Sequence, residues 1–231
     1  MSSDINVNLR RIQTQNLAIT TSNKHGSTNL VNFFGDFDVI NATKVEELEV
    51  PKTVIVITRN ETDRWCSGVV QELSRLEDNL DELNKDTIYN ILDREANSLG
   101  NKSIFTYDRS HLGEQPYFPY IIQLLLDYNT HFTDISSLNK KSFWKKICEL
   151  DDTWPKINEF FEDWQEHLQN QSNLYSHKTF HGPPKGESKR GEIVNVVKDM
   201  LDTDKRLDFI SRILDAKQKQ IDDLKKSDMW I

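Results

Sequence analysis

The stretch Leu17-Ala18-Ile19-Thr20-Thr21-Ser22-Asn23-Lys24-His25-Gly26-Ser27-Thr28 decides how this chain reads. Leu17 to Thr21 is short, apolar and β-rich, the composition of a strand buried on both faces. It leads through Ser22 and Asn23 into a turn bearing a lysine and a glycine, after which Ser27 to Phe34 reads as a helix. Gly26 permits close backbone approach, Ser27 and Thr28 bring hydroxyls and amides to a helix N-terminus, and Lys24 brings a point charge. Strand, turn and helix start together make a phosphate cradle. The lysine precedes the glycine, and no G-x-x-x-x-G-K-[ST] occurs anywhere. An ordinary Walker-type ATPase or GTPase is therefore disfavoured.

Working outward, Phe37 to Ile40 is a second strand candidate, Thr43 to Glu49 a polar connection, and Thr53 to Thr58 the clearest buried strand. Alternation of strand and helix predicts a parallel α/β sheet. Arg59 ends the Thr53 to Thr58 strand, and Ser67 follows eight residues later. Eight residues of helix span about 12 Å, so a joint grip by Arg59 and Ser67 requires Asn60 to Asp63 to loop before the helix settles. Trp65, Val69, Leu73, Leu76, Leu80 and Leu83 fall at helical spacing, with Asn60 or Thr62 as cap and Glu61 and Asp63 suited to the helix N-terminus. Two anion sites at two strand ends point to a nucleotide with phosphates at both ends.

Beyond that helix, Asp86 to Leu99 reads as a helix, Ser103 to Tyr107 as a short strand, Asp108 to Gln115 as a polar loop and Tyr117 to Asn129 as a helix. Ser142 to Gln171 is helical by period and carries Trp144, Trp154 and Trp164, with Pro155 suited to a first turn. A loop rich in Gly, Pro, Lys and Ser runs from Gln171 to Gly191, and Ile193 to Leu201 and Leu207 to Leu224 read as closing helices. The organisation expected is a flexible start, residues 1–15, followed by one α/β domain over 16–231, a short central parallel sheet flanked by helices.

The chain has 231 residues, a net charge of −8 and a pI near 5.3. That length supports a core without staples, and that charge argues against broad capture of nucleic acid or an anionic membrane. Cys66 and Cys148 lie in separate predicted helices with no metal-ligand spacing, so neither a disulfide framework nor a zinc site is expected. His177 and His181 form no metal set. Met1 to Gln15 lacks an apolar signal core, and no run approaches the ~18 apolar residues of a spanning helix. The expectation is a soluble, cytoplasmic protein with no nucleic-acid or membrane partner.

Here the residues meet a family. The turn Lys24-His25-Gly26-Ser27-Thr28 after the first strand resembles the 5'-phosphosulfate loop of sulfotransferases that use 3'-phosphoadenylyl sulfate (PAPS). Arg59-Asn60-Glu61-Thr62-Asp63-Arg64-Trp65-Cys66-Ser67-Gly68 resembles the 3'-phosphate motif of the same family, in which an arginine ending a strand precedes a serine by eight positions. Lys185-Gly186-Glu187-Ser188-Lys189-Arg190-Gly191 is similar to the basic, glycine-bearing loop that folds over the nucleotide in carbohydrate and cytosolic members. Asn23 stands where many relatives carry proline, and Asn60-Glu61 replaces a common proline-containing step.

The resemblance implies a P-loop-like sulfotransferase architecture. It also implies sulfuryl transfer from PAPS to a hydroxyl or amine of a small molecule or carbohydrate, with adenosine 3',5'-bisphosphate (PAP) leaving and no metal needed. Lys24 would stabilise charge on the bridging oxygen, and Ser27 and Thr28, with nearby amides, would hold the 5'-phosphosulfate, with His25 and Gly26 in the same cradle. Arg59 and Ser67 would take the 3'-phosphate, and Lys185, Gly186, Lys189 and Arg190 would come from the late loop. For the general base, Glu46 after the second strand stands first, with Glu47 beside it and His111 in the 108–115 loop as alternatives. Tyr117, Phe118 and Tyr120, together with Trp144, Trp154 and Trp164, line a sugar or aryl acceptor pocket in this reading, or pack in the core. The competing classes are a divergent nucleotide kinase, which needs magnesium and an acidic ligand at a strand end, and a noncatalytic nucleotide-binding α/β protein.

Overall fold

The computed structural model describes residues 6–13, 17–22, 39–44, 53–76, 83–98, 129–151, 162–166 and 187–231. The chain is an α/β protein, with more helix than strand among the described residues, and it divides into two compact units, each drawn from separated stretches. The sheet unit comprises Met1–Arg59, Gln115–Ser172 and Ile221–Ile231, and the helical unit comprises Asn60–Glu114 and Asn173–Gln220.

The strands of the sheet unit are β1 (Asn6–Gln13), β2 (Leu17–Ser22), β3 (Val39–Lys44), β4 (Thr53–Thr58) and β5 (Asn129–Asp134). They form one sheet in the order β3-β1-β2-β4-β5. β2, β4 and β5 run parallel, whereas β1 is antiparallel to both β2 and β3. Every residue of β4 is buried, which accounts for its unbroken β-branched run, Thr-Val-Ile-Val-Ile-Thr: both faces need apolar or bonded side chains. On one face Leu17, Ile19, Ile55 and Ile57 pack with Leu138, Phe143, Trp144, Ile147 and Trp164. The last five come from a 3₁₀ turn (Ile135–Asn139), helix α3 (Lys141–Leu150) and helical residues 162–166. The outer edge of β5 is joined by the chain end: Phe132 N donates to Met229 O at 2.7 Å and Ile231 N donates to Phe132 O at 2.9 Å.

The helical unit is built from α1 (Glu61–Leu76), α2 (Lys85–Ser98), α4 (Glu187–Thr203) and the part of α5 (Asp208–Leu224) up to Gln220. The apolar stripe of α1, Trp65, Val69 and Leu73, meets Ile88, Ile91 and Leu92 of α2, Ile193, Val197 and Met200 of α4, and Ile210 and Leu214 of α5. Asn60 caps α1, its Oδ1 accepting from Asp63 N at 2.9 Å, and Asn84 caps α2, accepting from Thr87 N at 3.0 Å. At the same end of α2, Arg206 lies over the Tyr89 ring at 4.2 Å and bonds Asp86 and Asp204.

Several segments differ from the sequence reading. Residues 6–13, expected in a flexible start, form β1, because pairing on two sides suits even the broken alternation of Val7, Leu9 and Ile12. Its ladder with β3 shifts register between Asn6 and Leu9. β3 runs on to Lys44, past the expected end at Ile40, and it is an antiparallel edge strand. Asn129, expected to close a helix, opens β5. Glu187 to Gly191, expected in a loop, belong to α4. Helix Ser27–Phe34, strand Ser103–Tyr107, residues 108–115, 117–128 and 171–186, and Trp154 and Pro155 lie outside the described residues.

Candidate functional site

Parallel α/β sheets bind ligands beyond the carboxyl ends of their strands, and register fixes where those ends fall here. Thr21 of β2 pairs with Ile57 of β4, and Thr58 of β4 pairs with Asp134 of β5. Ser22, Thr58 and Asp134 therefore end three neighbouring strands along one edge, with strand spacing of about 4.8 Å. Ser22 is followed by Asn23 and Lys24, and Thr58 by the half-buried Arg59.

That edge is fixed by side-chain bonds. Thr58 Oγ1 donates to Thr133 O at 2.9 Å, and Thr133 Oγ1 donates to Ile231 O at 2.7 Å. Asp134 caps the 3₁₀ turn, Oδ1 accepting from Ser136 N at 2.8 Å. At the opposite end of the same strands Asn129 Nδ2 donates to Thr53 Oγ1 at 3.1 Å.

In the helical unit α1 begins at Glu61, directly after Asn60, so the loop that a joint grip by Arg59 and Ser67 requires does not form. The cap from Asn60 already favours helix there. Ser67 is half-buried, about two turns in. The first turn is held by three further partners. Glu61 N donates to Gln218 Oε1 at 3.1 Å, Asp63 Oδ1 pairs with Lys198 Nζ at 2.6 Å, and Arg64 Nε donates to Glu61 Oε2 at 2.8 Å. Arg64 is buried, and its Nη1 has no hydrogen-bond partner.

Of the residues singled out by sequence, Arg59 and Ser67 are described, and Lys189 and Arg190 lie in the first turn of α4 rather than in a loop. Their segment, Glu187-Ser188-Lys189-Arg190, holds helix-compatible charged residues that run straight into the apolar positions of α4, which is why it joins that helix. Lys24, His25, Gly26, Ser27, Thr28, Glu46, Glu47, His111, Lys185 and Gly186 lie outside the described residues.

Sequence reading missed Arg64. The signal was present, because Glu61 sits four residues before Trp65 and three before Arg64, on the side of α1 that turns inward. It also missed His131 of β5, which is the register partner of Ile55 and so shares the aromatic-backed face rather than the carboxyl edge. Burial and then the Lys146 cation hold its imidazole below the ordinary value, so it stays neutral more readily than a solvated histidine. Burial first, then the carboxylates of Asp151 and Glu149, push the Cys148 thiol up, which leaves it a poor nucleophile. Among the described residues no group of three or more His, Cys, Asp or Glu is placed to hold a metal ion, and no helix is long and apolar enough to cross a membrane.

Comparison with protein-family models, curated proteins and solved structures finds no match to the chain.

Proposed function

We propose that the chain is a PAPS-dependent sulfotransferase. The observation that carries this reading is the pairing of β2 with β4: they are adjacent, parallel and in register from Leu17↔Thr53 to Thr21↔Ile57. The strand that runs into the Lys24 turn and the strand that ends at Arg59 thus finish side by side. A donor with anionic groups on both its 5' and 3' sides calls for two such neighbouring ends.

In this reading an acceptor oxygen or nitrogen attacks sulfur in line, the bond from sulfur to the bridging phosphate oxygen breaks, and the acceptor proton passes to a base. Lys24 neutralises the charge gathering on the bridging oxygen, and Ser27 and Thr28 hold the 5' end. Arg59, at the end of β4, recognises the 3'-phosphate that separates this donor from ATP. Positioning and charge stabilisation then carry most of the rate, as in phosphoryl transfer. Glu46 is the first candidate for the base, ahead of Glu47 and His111.

Calorimetric titration tests the donor assignment. Adenosine 3',5'-bisphosphate should bind without magnesium and more tightly than ADP, and a preference for ADP would favour a nucleotide kinase instead. Lys24→Ala should abolish sulfuryl transfer to any acceptor found for the wild type, and unchanged turnover would remove the role given to Lys24.

A further inference from the structure

We propose that residues 229–231 are a strap that latches the carboxyl edge of the sheet through Thr133 and Thr58, and that this strap opens while the rest of the sheet stays paired. The device goes beyond the donor reading and does not rest on it, since every group it uses belongs to the sheet unit.

Trp230 bridges Phe132 in parallel, so the strap adds a short strand to the outer edge of β5. Two backbone bonds flank that bridge, Phe132 N donating to Met229 O at 2.7 Å and Ile231 N to Phe132 O at 2.9 Å. A side chain supplies the next bond, from Thr133 Oγ1 to Ile231 O at 2.7 Å. Thr133 in turn offers its own carbonyl to Thr58 Oγ1 at 2.9 Å. One line of bonds therefore runs from Ile231 through β5 to the last residue of β4, directly before Arg59. Thr58 and Thr133 are both 0% exposed. A valine or isoleucine would fill either pleat position with no hydroxyl to satisfy, so the two hydroxyls are what make the seat of the strap specific.

The latch acts at one end of the strands. The opposite end of β4 and β5 is tied by Asn129 Nδ2 and Thr53 Oγ1, and β4 itself is held by parallel ladders on both sides. The strap has no such backing: Met229, Trp230 and Ile231 are half-buried, and Ile231 reaches the core from its margin. Ordering these residues costs conformational entropy of the same order as their bonds return, so opening of the strap lies well below global unfolding. When it opens, Thr133 Oγ1 loses its acceptor and the edge at Thr58 loses its brace, at the end of the strands where parallel α/β sheets take ligands.

The test is native-state hydrogen exchange of the full chain, read by NMR, for the wild type, Thr133→Val, Ile231→Pro and, as a control at the opposite end, Asn129→Ala. In the wild type the Phe132 amide should exchange at least about tenfold faster than the Ile55 amide, with little dependence on low urea, the mark of a local opening. Thr133→Val deletes the hydroxyl at nearly constant shape, and Ile231→Pro deletes the N–H bonded to Phe132. Each should speed Phe132 exchange by a further factor of about ten. The Thr58 amide should speed up with it, whereas that of Val54 should not. Asn129→Ala should leave Phe132 as it was. A wild-type Phe132 amide that exchanges at the rate of Ile55 overturns the proposal, because the strap would then open only with the whole sheet. So does an equal acceleration of Val54 and Thr58, a Phe132 amide unmoved by both strap variants, or a failure of both to fold.

Discussion

The sheet unit and the helical unit solve the burial problem with different materials. In the sheet unit the core beside β2 and β4 is closed by a small aromatic group, with the Trp144 ring 5.0 Å from Phe143 and 5.6 Å from Trp164. The Trp144 indole N–H donates to Leu138 O at 2.8 Å, tying α3 to the 3₁₀ turn before it. The helical unit instead spreads its core over four helices, mostly as aliphatic side chains, with Trp65 as the one indole among its described core residues. Its helix ends are held by asparagine caps and by charges such as Arg206 and Lys198. Packing is concentrated in the first unit and distributed in the second. The loss of one side chain should therefore be felt unequally.

The largest expected effect tests that inequality directly. Trp144→Ala removes a fully buried ring, two ring contacts and a buried hydrogen bond, and should cost about 3–5 kcal/mol in urea unfolding. Met200→Ala, equally buried in the helical core, should fall near the lower end of the 2–5 kcal/mol range for aliphatic truncation, because a core of many flexible side chains relaxes around the gap. Equal losses at the two sites would break the contrast between a concentrated and a distributed core.

The same contrast governs what the sequence made legible. β4 was readable because Val54, Ile55, Val56 and Ile57 are buried on both faces, which leaves no polar position to blur the run. The stripe Trp65, Val69 and Leu73 was readable because a helix packed on one side repeats its apolar residues at helical spacing. β5 was not, since Asn129-Thr130-His131-Phe132-Thr133-Asp134 carries a single large apolar residue. Its polar groups fit only because Thr133 and Asn129 find partners, Ile231 and Thr53, far away in the chain. β1 hid for a related reason: its pairing with β3 bridges a long stretch and includes a register shift. At the candidate site, Arg59 at a strand end followed by Ser67 was visible as spacing. The inward Glu61–Arg64 pair was not, because charged residues in a first turn ordinarily signal favourable dipole contacts in solvent. What local pattern encodes was legible, and what distant partners complete was not.

A smaller effect sharpens the account of the helical unit. Asn60→Ala deletes the side-chain acceptor for Asp63 N and should cost about 1 kcal/mol, whereas Asn60→Asp should keep nearly all of that stability because a carboxylate caps as well and suits the helix dipole. Asp134→Ala, which removes the cap of the 3₁₀ turn in the sheet unit, should cost a similar amount. Urea midpoints for the three variants check this. If Asn60→Ala left the midpoint where it was, the end of α1 would owe its place to packing alone.

The smallest expected effect separates the two units along the pH axis. His131 in the sheet unit is held below its ordinary 6.5 by burial and by Lys146. Below about pH 6.5 the unfolded chain therefore takes up a proton that the folded chain still refuses, so stability present above 6.5 is lost as pH falls through the folded value. Asp204 in the helical unit is held below its ordinary 3.8, chiefly by the hydrogen bond from Arg206. Its contribution is complete above 3.8 and is lost only as pH falls through a still lower value. The two windows do not overlap at their upper ends. His131→Gln should flatten the dependence of unfolding free energy just below pH 6.5, while Asp204→Asn should flatten it below pH 3.8 and leave the upper window alone. Lys146→Met should give an intermediate slope in the upper window, because it removes the lesser of the two causes and leaves burial, the greater. An upper window unmoved by His131→Gln would mean that other histidines govern it, and the sheet unit would lose its distinct response to mild acid.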